Sequence, residues 1–321
     1  MQTCPDCQAH THPYLQGINA DQPESARIPL HQCLRCGLIF SQLDAIPHAP
    51  EELYFEGYYG ETAKSRTPNQ LVNRLFQTER RLLAFGTRKT GAVLDVGCGD
   101  GTFLQNVPTT WTRAGYEPSA AGQRSLQAHG IDFLDLSQPE TVLQNPDLKA
   151  RFDVITLWQA FEHIEKPQPL LAALKHLLRD EGVLFVSVPH IESLQAEVFG
   201  PKWFHLDPTR HLFHYNRKTL DRRLAAAGFR RQWMTTFSLE YGVFGWWQSF
   251  FNHLPFDFNF GYKILKARKQ YPDDFKTKTA KLVYAVAGIP LAFLSLGLML
   301  FESVTGRGGV LQAAYRKHQA G

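Results

Sequence analysis

The chain has 321 residues, 44% of them hydrophobic and 20% charged, with a net charge of +4. This composition excludes wholesale disorder and gives no polycationic surface for nucleic acid, and the length suits one large domain or two to three small ones. Five cysteines, four of them in CxxC pairs, and an N-terminus ("MQTCPDCQAH") without a basic stretch followed by an apolar run point to a reducing, cytoplasmic setting.

Residues 1–45 predict a metal module. Cys4 and Cys7 in "CPDC" and Cys33 and Cys36 in "CLRCGLIF" form two knuckles about 25 residues apart, a spacing that brings four thiolates around one tetrahedral zinc. Gly37 suits the tight turn beneath the metal. The pattern resembles a zinc ribbon; two disulfides are the alternative. Four cysteines leave no open coordination position, so the expected role of Zn2+ is structural, and His10 and His12 are read as solvent-facing.

Residues 46–90 read as a connector and cap for a cofactor site: an aromatic stretch, "EELYFEGYYG", then helical spacing over 69–85 with Leu71, Leu75, Leu82 and Leu83 on one side. In "GAVLDVGCGDGTFL" a short apolar strand runs into Gly97, Gly99 and Gly101, and a helix start follows. Such glycines let the backbone turn sharply and approach a ligand closely. Asp95, inside that strand, suits a cationic or amine-bearing ligand rather than a pyrophosphate. Glu117 in "RAGYEPSAAG" ends the second strand, where a carboxylate accepts hydrogen bonds from ribose hydroxyls. In "FDVITLWQAFEHI" a further strand breaks into polar and aromatic residues at its C-terminal end. Cys98 is read as a small packing residue.

Together "VLDVGCGDGTFL", "GYEPS", "FDVITLWQAFEHI" and "GVLFVSVPH" resemble the successive motifs of class I S-adenosylmethionine-dependent methyltransferases. The resemblance implies an α/β, Rossmann-like seven-stranded sheet of order 3-2-1-4-5-7-6, strand seven antiparallel, built from a core at 91–238 and a last strand with its tail at 306–321. It implies S-adenosyl-L-methionine as cofactor, with Asp95, Gly97, Gly99 and Gly101 around the methionine part, Glu117 on the ribose, Asp135 on the adenine side, and Trp158 and Gln159 alongside.

The segment after strand five, "PHIESLQAEVFGPKWFHLDPTRHLFHYN", lies where that family places its substrate lid and carries His190, His205, His211 and His214. Asn216 is expected to cap the next helix and Gly228 to end it. His163 and His211 are the candidate general bases, and Arg210 joins the candidate catalytic set; the alternative is that His211 and Arg210 pin the lid. Glu162 and His163 match a portion of a divalent-metal pattern of ubiquinone-pathway O-methyltransferases and small-RNA 2′-O-methyltransferases, with His211 or His214 in place for its last ligand. Gln159 replaces that pattern's first glutamate, so a metal-free base is expected.

Strands six and seven, near "FRRQWMTTFS" and "GVLQAAYRK", are separated by residues 239–305. This insertion holds an aromatic stretch, seven basic residues between Lys263 and Lys281 against Asp273 and Asp274, and an uncharged run from 282 to 301. Twenty helical residues reach about 30 Å, the thickness of a hydrocarbon core. A single crossing would place neighbouring strands of one sheet on opposite sides of the bilayer. The expectation is therefore a re-entrant or interfacial hairpin, bent at Pro290 into half-length helices, with Trp246 and Trp247 at the headgroups and lysines facing anionic lipid; the alternative is a buried helical pair covering the soluble domain, or a dimer interface. The expected protein is a peripheral or monotopic methyltransferase on the cytoplasmic leaflet, acting on a hydroxyl of a lipid-linked or envelope-glycan acceptor, with no nucleic-acid partner. A soluble nucleotide-sugar C-methyltransferase and a non-catalytic scaffold that binds S-adenosylmethionine are the alternatives.

Overall fold

The computed structural model describes residues 2–24, 27–46, 70–265 and 271–318. The aromatic connector and Lys266, Arg268 and Lys269 lie outside the described residues. The strands are β1 (Thr11–Gly17), β2 (Ile28–Cys33), β3 (Ile39–Ser41), β4 (Gly91–Val96), β5 (Trp111–Tyr116), β6 (Asp132–Phe133), β7 (Phe152–Trp158), β8 (Leu178–Pro189), β9 (Phe213–His214), β10 (Phe229–Thr235) and β11 (Val310–Lys317). The helices are α1 (Gln70–Phe85), α2 (Thr102–Gln105), α3 (Ala120–Ala128), α4 (Pro139–Gln144), α5 (Pro167–Leu177), α6 (Leu194–Phe199), α7 (Arg217–Ala226), α8 (Leu239–Phe251), α9 (Phe260–Leu265) and α10 (Phe275–Val304). Two compact units result: a core unit (Tyr54–Val188, Leu220–Met234, Gln312–Gly321) and a second unit (Met1–Leu53, Pro189–Thr219, Thr235–Leu311).

In the core unit seven strands run β6-β5-β4-β7-β8-β11-β10, the predicted order. The pairs β4–β5, β4–β7, β5–β6 and β7–β8 are parallel. Strands buried on both faces read as near-continuous apolar runs, and Val93, Leu94, Val154, Ile155, Leu184 and Phe185 are fully buried here. The helix at 70–85 forms as its spacing predicts, but Leu71, Leu75 and Leu82 are exposed. Contact is made instead through Ala84 and Phe85, whose ring stacks on Trp111 with centroids 4.3 Å apart. Asn216 Oδ1 accepts the Thr219 N–H at 2.8 Å, the expected cap of α7, and Gly228 follows that helix with φ at 81°.

In the second unit the cysteine module builds an antiparallel sheet, β1-β2-β3-β9. Its fourth strand comes from the segment after β8: Ile39 pairs with His214 and Phe40 with Phe213. The Ser41 N–H donates to the Leu212 carbonyl at 3.0 Å, and the Ser41 hydroxyl to the His211 carbonyl at 2.9 Å. Leu30 and Ile39 from the module, Trp203 and Leu206 from the segment after β8, and Trp246 and Met299 from the insertion share one buried cluster.

The insertion corrects two expectations. Pro290 does not divide the apolar run, because α10 is one continuous helix of 30 residues. A proline removes one backbone hydrogen bond and crowds the preceding turn, at about 3 kcal/mol, a local cost that the packing along the rest of the helix outweighs. Trp246 does not reach a headgroup layer; it is 2% exposed, packed edge-on against Phe199 at 5.3 Å. Trp247 donates its indole N–H to the Gly288 carbonyl at 3.0 Å. A hairpin does form, between α8 and α10: Gly242 lies against Met299, Trp247 against Gly288 and Phe251 stacks on Tyr284 at 3.8 Å, so the two helices run antiparallel. Two polar contacts reach across it, the Trp247 indole to Gly288 and the Gln248 amide to the Tyr284 hydroxyl at 3.3 Å, while a further amide network joins α8 to the loop before α9. Gln248 Nε2 donates to Asn252 Oδ1 at 2.9 Å, and Asn252 Nδ2 donates to Asn259 Oδ1 at 2.8 Å.

Trp203→Ala empties the middle of the shared cluster and leaves the Gln195 Oε1 acceptor without its indole donor. Unfolding followed by urea titration is expected to lose about 3–5 kcal/mol. A loss below about 1 kcal/mol, the level of a surface change, would show that the three segments do not share one core.

Candidate cofactor site and metal centre

At the C-terminal end of β4 the chain makes a tight loop. Gly97, Gly99 and Gly101 have φ of 73°, 58° and 75°, a region that side-chain-bearing residues avoid. At Gly97 a Cβ would also lie 2.7 Å from the Ala160 Cβ. The N–H groups of Gly97 and Cys98 both donate to the Tyr116 carbonyl, at 2.8 and 3.1 Å, tying the loop to the tip of β5.

Glu117 stands at that tip, 2% exposed. One carboxylate oxygen accepts the Gly99 N–H at 3.0 Å and the other the Ser119 N–H at 3.1 Å. A carboxylate offers about four lone-pair positions, more than one donor per oxygen requires. The approach is close: a Cβ at Gly122 would sit 2.3 Å from Glu117 Cγ and 2.6 Å from the Gly99 carbonyl oxygen.

Asp95 is 2% exposed, and its Oδ1 accepts the Thr156 hydroxyl at 2.7 Å. Burial pushes its pKa up to about 7, against the hydrogen bond from Thr156 and the charge of Arg80, which hold it down. The Arg80 guanidinium lies 5.4 Å from the centroid of the Trp158 ring. Trp158, 7% exposed, packs between Phe103 and Phe185. Gln159 has φ at 50°, a strained value for a glutamine. Its N–H donates to the Ser187 carbonyl and its side-chain amide to the Ser187 hydroxyl, both at 2.9 Å. Asp135 is exposed after β6 and accepts the Ser137 N–H at 2.8 Å. Burial, then the charges of Asp135 and Glu117, raise the Tyr116 phenol. Cys98 is a packing residue: burial, then Asp95 and Glu117, push its thiol up and away from reactivity.

The candidate bases fall in different units. His163 closes a short 3-10 turn after β7, beside Glu162, which is fully buried and raised to about 8 by that burial. His211 and Arg210 belong to the second unit. There His211 Nδ1 lies 2.9 Å from the His205 carbonyl, so Nδ1 donates to it. Arg210 is 7% exposed and forms ion pairs with Asp21 at 2.5 Å and Asp207 at 3.2 Å. His214 Nε2 lies 3.1 Å from the Ser41 hydroxyl, and burial lowers its pKa to about 3.

Cys4, Cys7, Cys33 and Cys36 converge, their sulfurs all within 4.8 Å of one another. The Cys4–Cys36 and Cys7–Cys33 separations are both 3.5 Å, and all four thiols are free. Zinc–thiolate bonds of about 2.3 Å in a tetrahedron place sulfurs at about this spacing, so the donor set fits zinc.

Three partners went unnoticed in the sequence. Thr156 and Ser187 interrupt the apolar runs "VITLW" and "VLFVSVP", and a polar residue inside a buried strand is the signal that would have found them. Arg80 carries no such mark.

Residues 64–231, more than half of the chain, match the family described as the methyltransferase domain. The chain belongs to that family, the class I S-adenosylmethionine-dependent methyltransferases. It is similar to the ubiquinone biosynthesis O-methyltransferase of Aeromonas salmonicida, with 28% identity over 110 residues, 32% of this chain and 43% of the relative. The corresponding enzyme of Pasteurella multocida is 31% identical over 108 residues, 30% of this chain and 45% of the relative. The chain thus spans under half the length of these relatives. A SAM-dependent methyltransferase from Archaeoglobus fulgidus superposes with a TM-score of 0.45 at 15% identity, covering 77% of this chain and 93% of that one.

Gly122→Ala is expected to push Glu117 out of place and weaken S-adenosylhomocysteine binding about tenfold, ~1.4 kcal/mol, in titration calorimetry. Unchanged affinity would remove Glu117 from the cofactor site.

Proposed function

We propose that the protein transfers a methyl group from S-adenosylmethionine to a hydroxyl of a lipid-linked or envelope-glycan acceptor, at the cytoplasmic face of a membrane. Family membership and the arrangement of Asp95, the glycine loop and Glu117 support the cofactor assignment. The observation that carries the acceptor class is the exposed apolar side of α10, with Val286, Ile289 and Phe293 between 68% and 72% exposed.

The bound cofactor supplies an electrophilic methyl group on a positively charged sulfur. The chain's own groups then have distinct tasks. Asp95, ionised, pairs with the ligand amine, and Glu117 accepts hydrogen bonds from the ribose. The cofactor would supply the methyl group and keep the leaving electron pair on its sulfur, while a histidine of this chain would take the proton of the acceptor hydroxyl. We assign that proton to His163, which belongs to the same unit as the cofactor loop, with His211 as the alternative base. The four cysteines hold a structural zinc, which supplies folding energy to a module too small to bury a core of its own. Ubiquinone biosynthesis O-methyltransferases among the relatives agree with an oxygen acceptor.

The decisive assay incubates methyl-labelled S-adenosylmethionine with membrane extract and wild-type or Asp95→Ala protein, then partitions the products. Label in the organic phase that the variant fails to produce is expected. Label confined to the aqueous phase means a soluble sugar or small-molecule acceptor; no label with either protein, where S-adenosylhomocysteine still binds, means a scaffold.

Asp95 also sets a pH dependence. Its folded pKa of about 7 lies above the ordinary carboxylate value of 3.8, so between these the folded ligand-free protein holds the extra proton. Asp95 therefore favours stability at the acidic end of this window, a contribution lost as pH rises through about 7. An amine ligand reverses the preference, because it pairs with the ionised form. Affinity for S-adenosylhomocysteine is expected to rise between about pH 6 and 8, and Asp95→Asn to flatten that rise. A wild-type slope retained in the variant would assign it elsewhere.

A further inference from the structure

The insertion carries two unlike sides. Along α10, Thr277, Ala280, Gly288, Ser295, Met299 and Glu302 are buried. Leu282, Val286, Ile289, Phe293, Leu300 and Val304 are 48% to 89% exposed. Their spacings of four, three, four, seven and four residues keep all six within about 60° of one helical face. The helix is about 45 Å long at 1.5 Å per residue, so this face forms a long straight ridge. Lys276, Lys278 and Lys281 are exposed in its first two turns.

Taking the membrane reading above as its premise, the geometry points to α10 as an in-plane docking face for an anionic phospholipid leaflet, sunk to one depth along its length and crossing nothing. Three observations carry this. First, β10 and β11 are neighbours in one sheet, so the chain enters and leaves the insertion on one side of any bilayer. A crossing by α10 needs a second crossing, and its antiparallel partner α8 has 13 residues, about 20 Å, too short for a hydrocarbon core of about 30 Å. Second, one side of α10 is already packed against protein, so lipid can reach only the other. Third, no charged residue occurs from 282 to 301. A seam between copies of this chain in water would be flanked by charges that set its register, whereas a face in acyl chains needs none, and lysines at one end match anionic headgroups.

The test uses the full chain and vesicles of phosphatidylcholine alone or mixed equally with phosphatidylglycerol. Flotation with the anionic vesicles is expected. Ile289→Glu with Phe293→Glu should weaken it roughly a hundredfold, while S-adenosylhomocysteine affinity, which reports an intact core, stays put. Replacing Lys276, Lys278 and Lys281 by glutamine should remove the preference for phosphatidylglycerol. Tryptophan placed at Leu282, Phe293 or Val304 should gain the same quenching profile from lipids brominated at graded depths. A profile that deepens from Leu282 through Phe293 and returns to the opposite headgroups at Val304 means a crossing and overturns in-plane docking while leaving membrane association intact. No flotation, with a lipid-free dimer that the double variant dissociates, makes the face an interface between copies and overturns the proposal. Flotation as expected with label only in the aqueous phase sinks the lipid acceptor but not the docking face.

Discussion

Two strands that must lie side by side constrain everything placed between them. β10 and β11 are edge partners, yet about seventy residues separate them, where such a connection is ordinarily a few residues. An insertion of that size is thermodynamically tolerable because closure entropy grows only with the logarithm of loop length. It must, however, bury enough surface to stay ordered. The antiparallel pair α8–α10 meets that requirement with aromatic stacking at Phe251 and Tyr284, close approach at Gly242 and a satisfied amide network around Gln248 and Asn252. Buried amides in such a network cost little once all are paired, and the Gln248 amide also reaches the Tyr284 hydroxyl of α10.

The same logic explains why the cysteine module is not a detached knob. Three strands of three to seven residues cannot protect an edge, and β3 presents unpaired backbone groups until Phe213 and His214 cover it. The segment after β8 is thereby held by backbone pairing at β9 and by the Arg210 ion pairs with Asp21 and Asp207. Arg210 is buried while one partner, Asp21, is about half exposed. Removing an acid from such an arrangement leaves a buried charge poorly compensated, which costs more than a surface pair is worth. The fold of the module thus also sets where the histidines of the neighbouring segment lie within this unit.

Legibility in the sequence followed the range of the interactions. Glycines at alternate positions, an acid inside the first core strand and an acid at the tip of the second are local signals, and the loop, Asp95 and Glu117 were readable from them. The sheet order came with the family resemblance. β9 could not be read locally, because two residues form a strand only when a partner about 170 positions away supplies the hydrogen bonds. Trp246 was misplaced for a related reason. A tryptophan in an apolar helix suits either a headgroup layer or a helical partner, and the partner, α10 with its neighbours, comes later in the chain. Pro290 was read as a break because local propensity is strong there; tertiary packing over thirty residues overrode it. The leucines of α1 show the converse: the row has helical spacing, yet Leu71, Leu75 and Leu82 stay exposed and Leu83 alone of the four packs against the core cluster.

Glu302 shows how the apolar helix is brought to an end. A carboxylate near a helix C-terminus meets the negative end of the macrodipole, and burial disfavours its charge further. Its pKa is accordingly raised to about 7, burial outweighing the Gln195 and Gly309 hydrogen bonds that hold it down. Those bonds nevertheless fix it: Oε1 accepts from Gln195 Nε2 at 2.7 Å and from the Gly309 N–H at 3.2 Å. Gln195 belongs to α6 and Gly309 begins the return to β11, so one side chain ties the helix end to both. Glycine is required beside it, since a Cβ at Gly308 would lie 2.1 Å from the Thr236 carbonyl oxygen. An apolar helix released at its end can slide or tilt to suit its surroundings. One tied at Glu302 and stacked through Tyr284 presents a single face at a fixed rotation, and that rotation puts Ile289 and Phe293 outward. Whatever meets the molecule there meets a surface already set by protein packing.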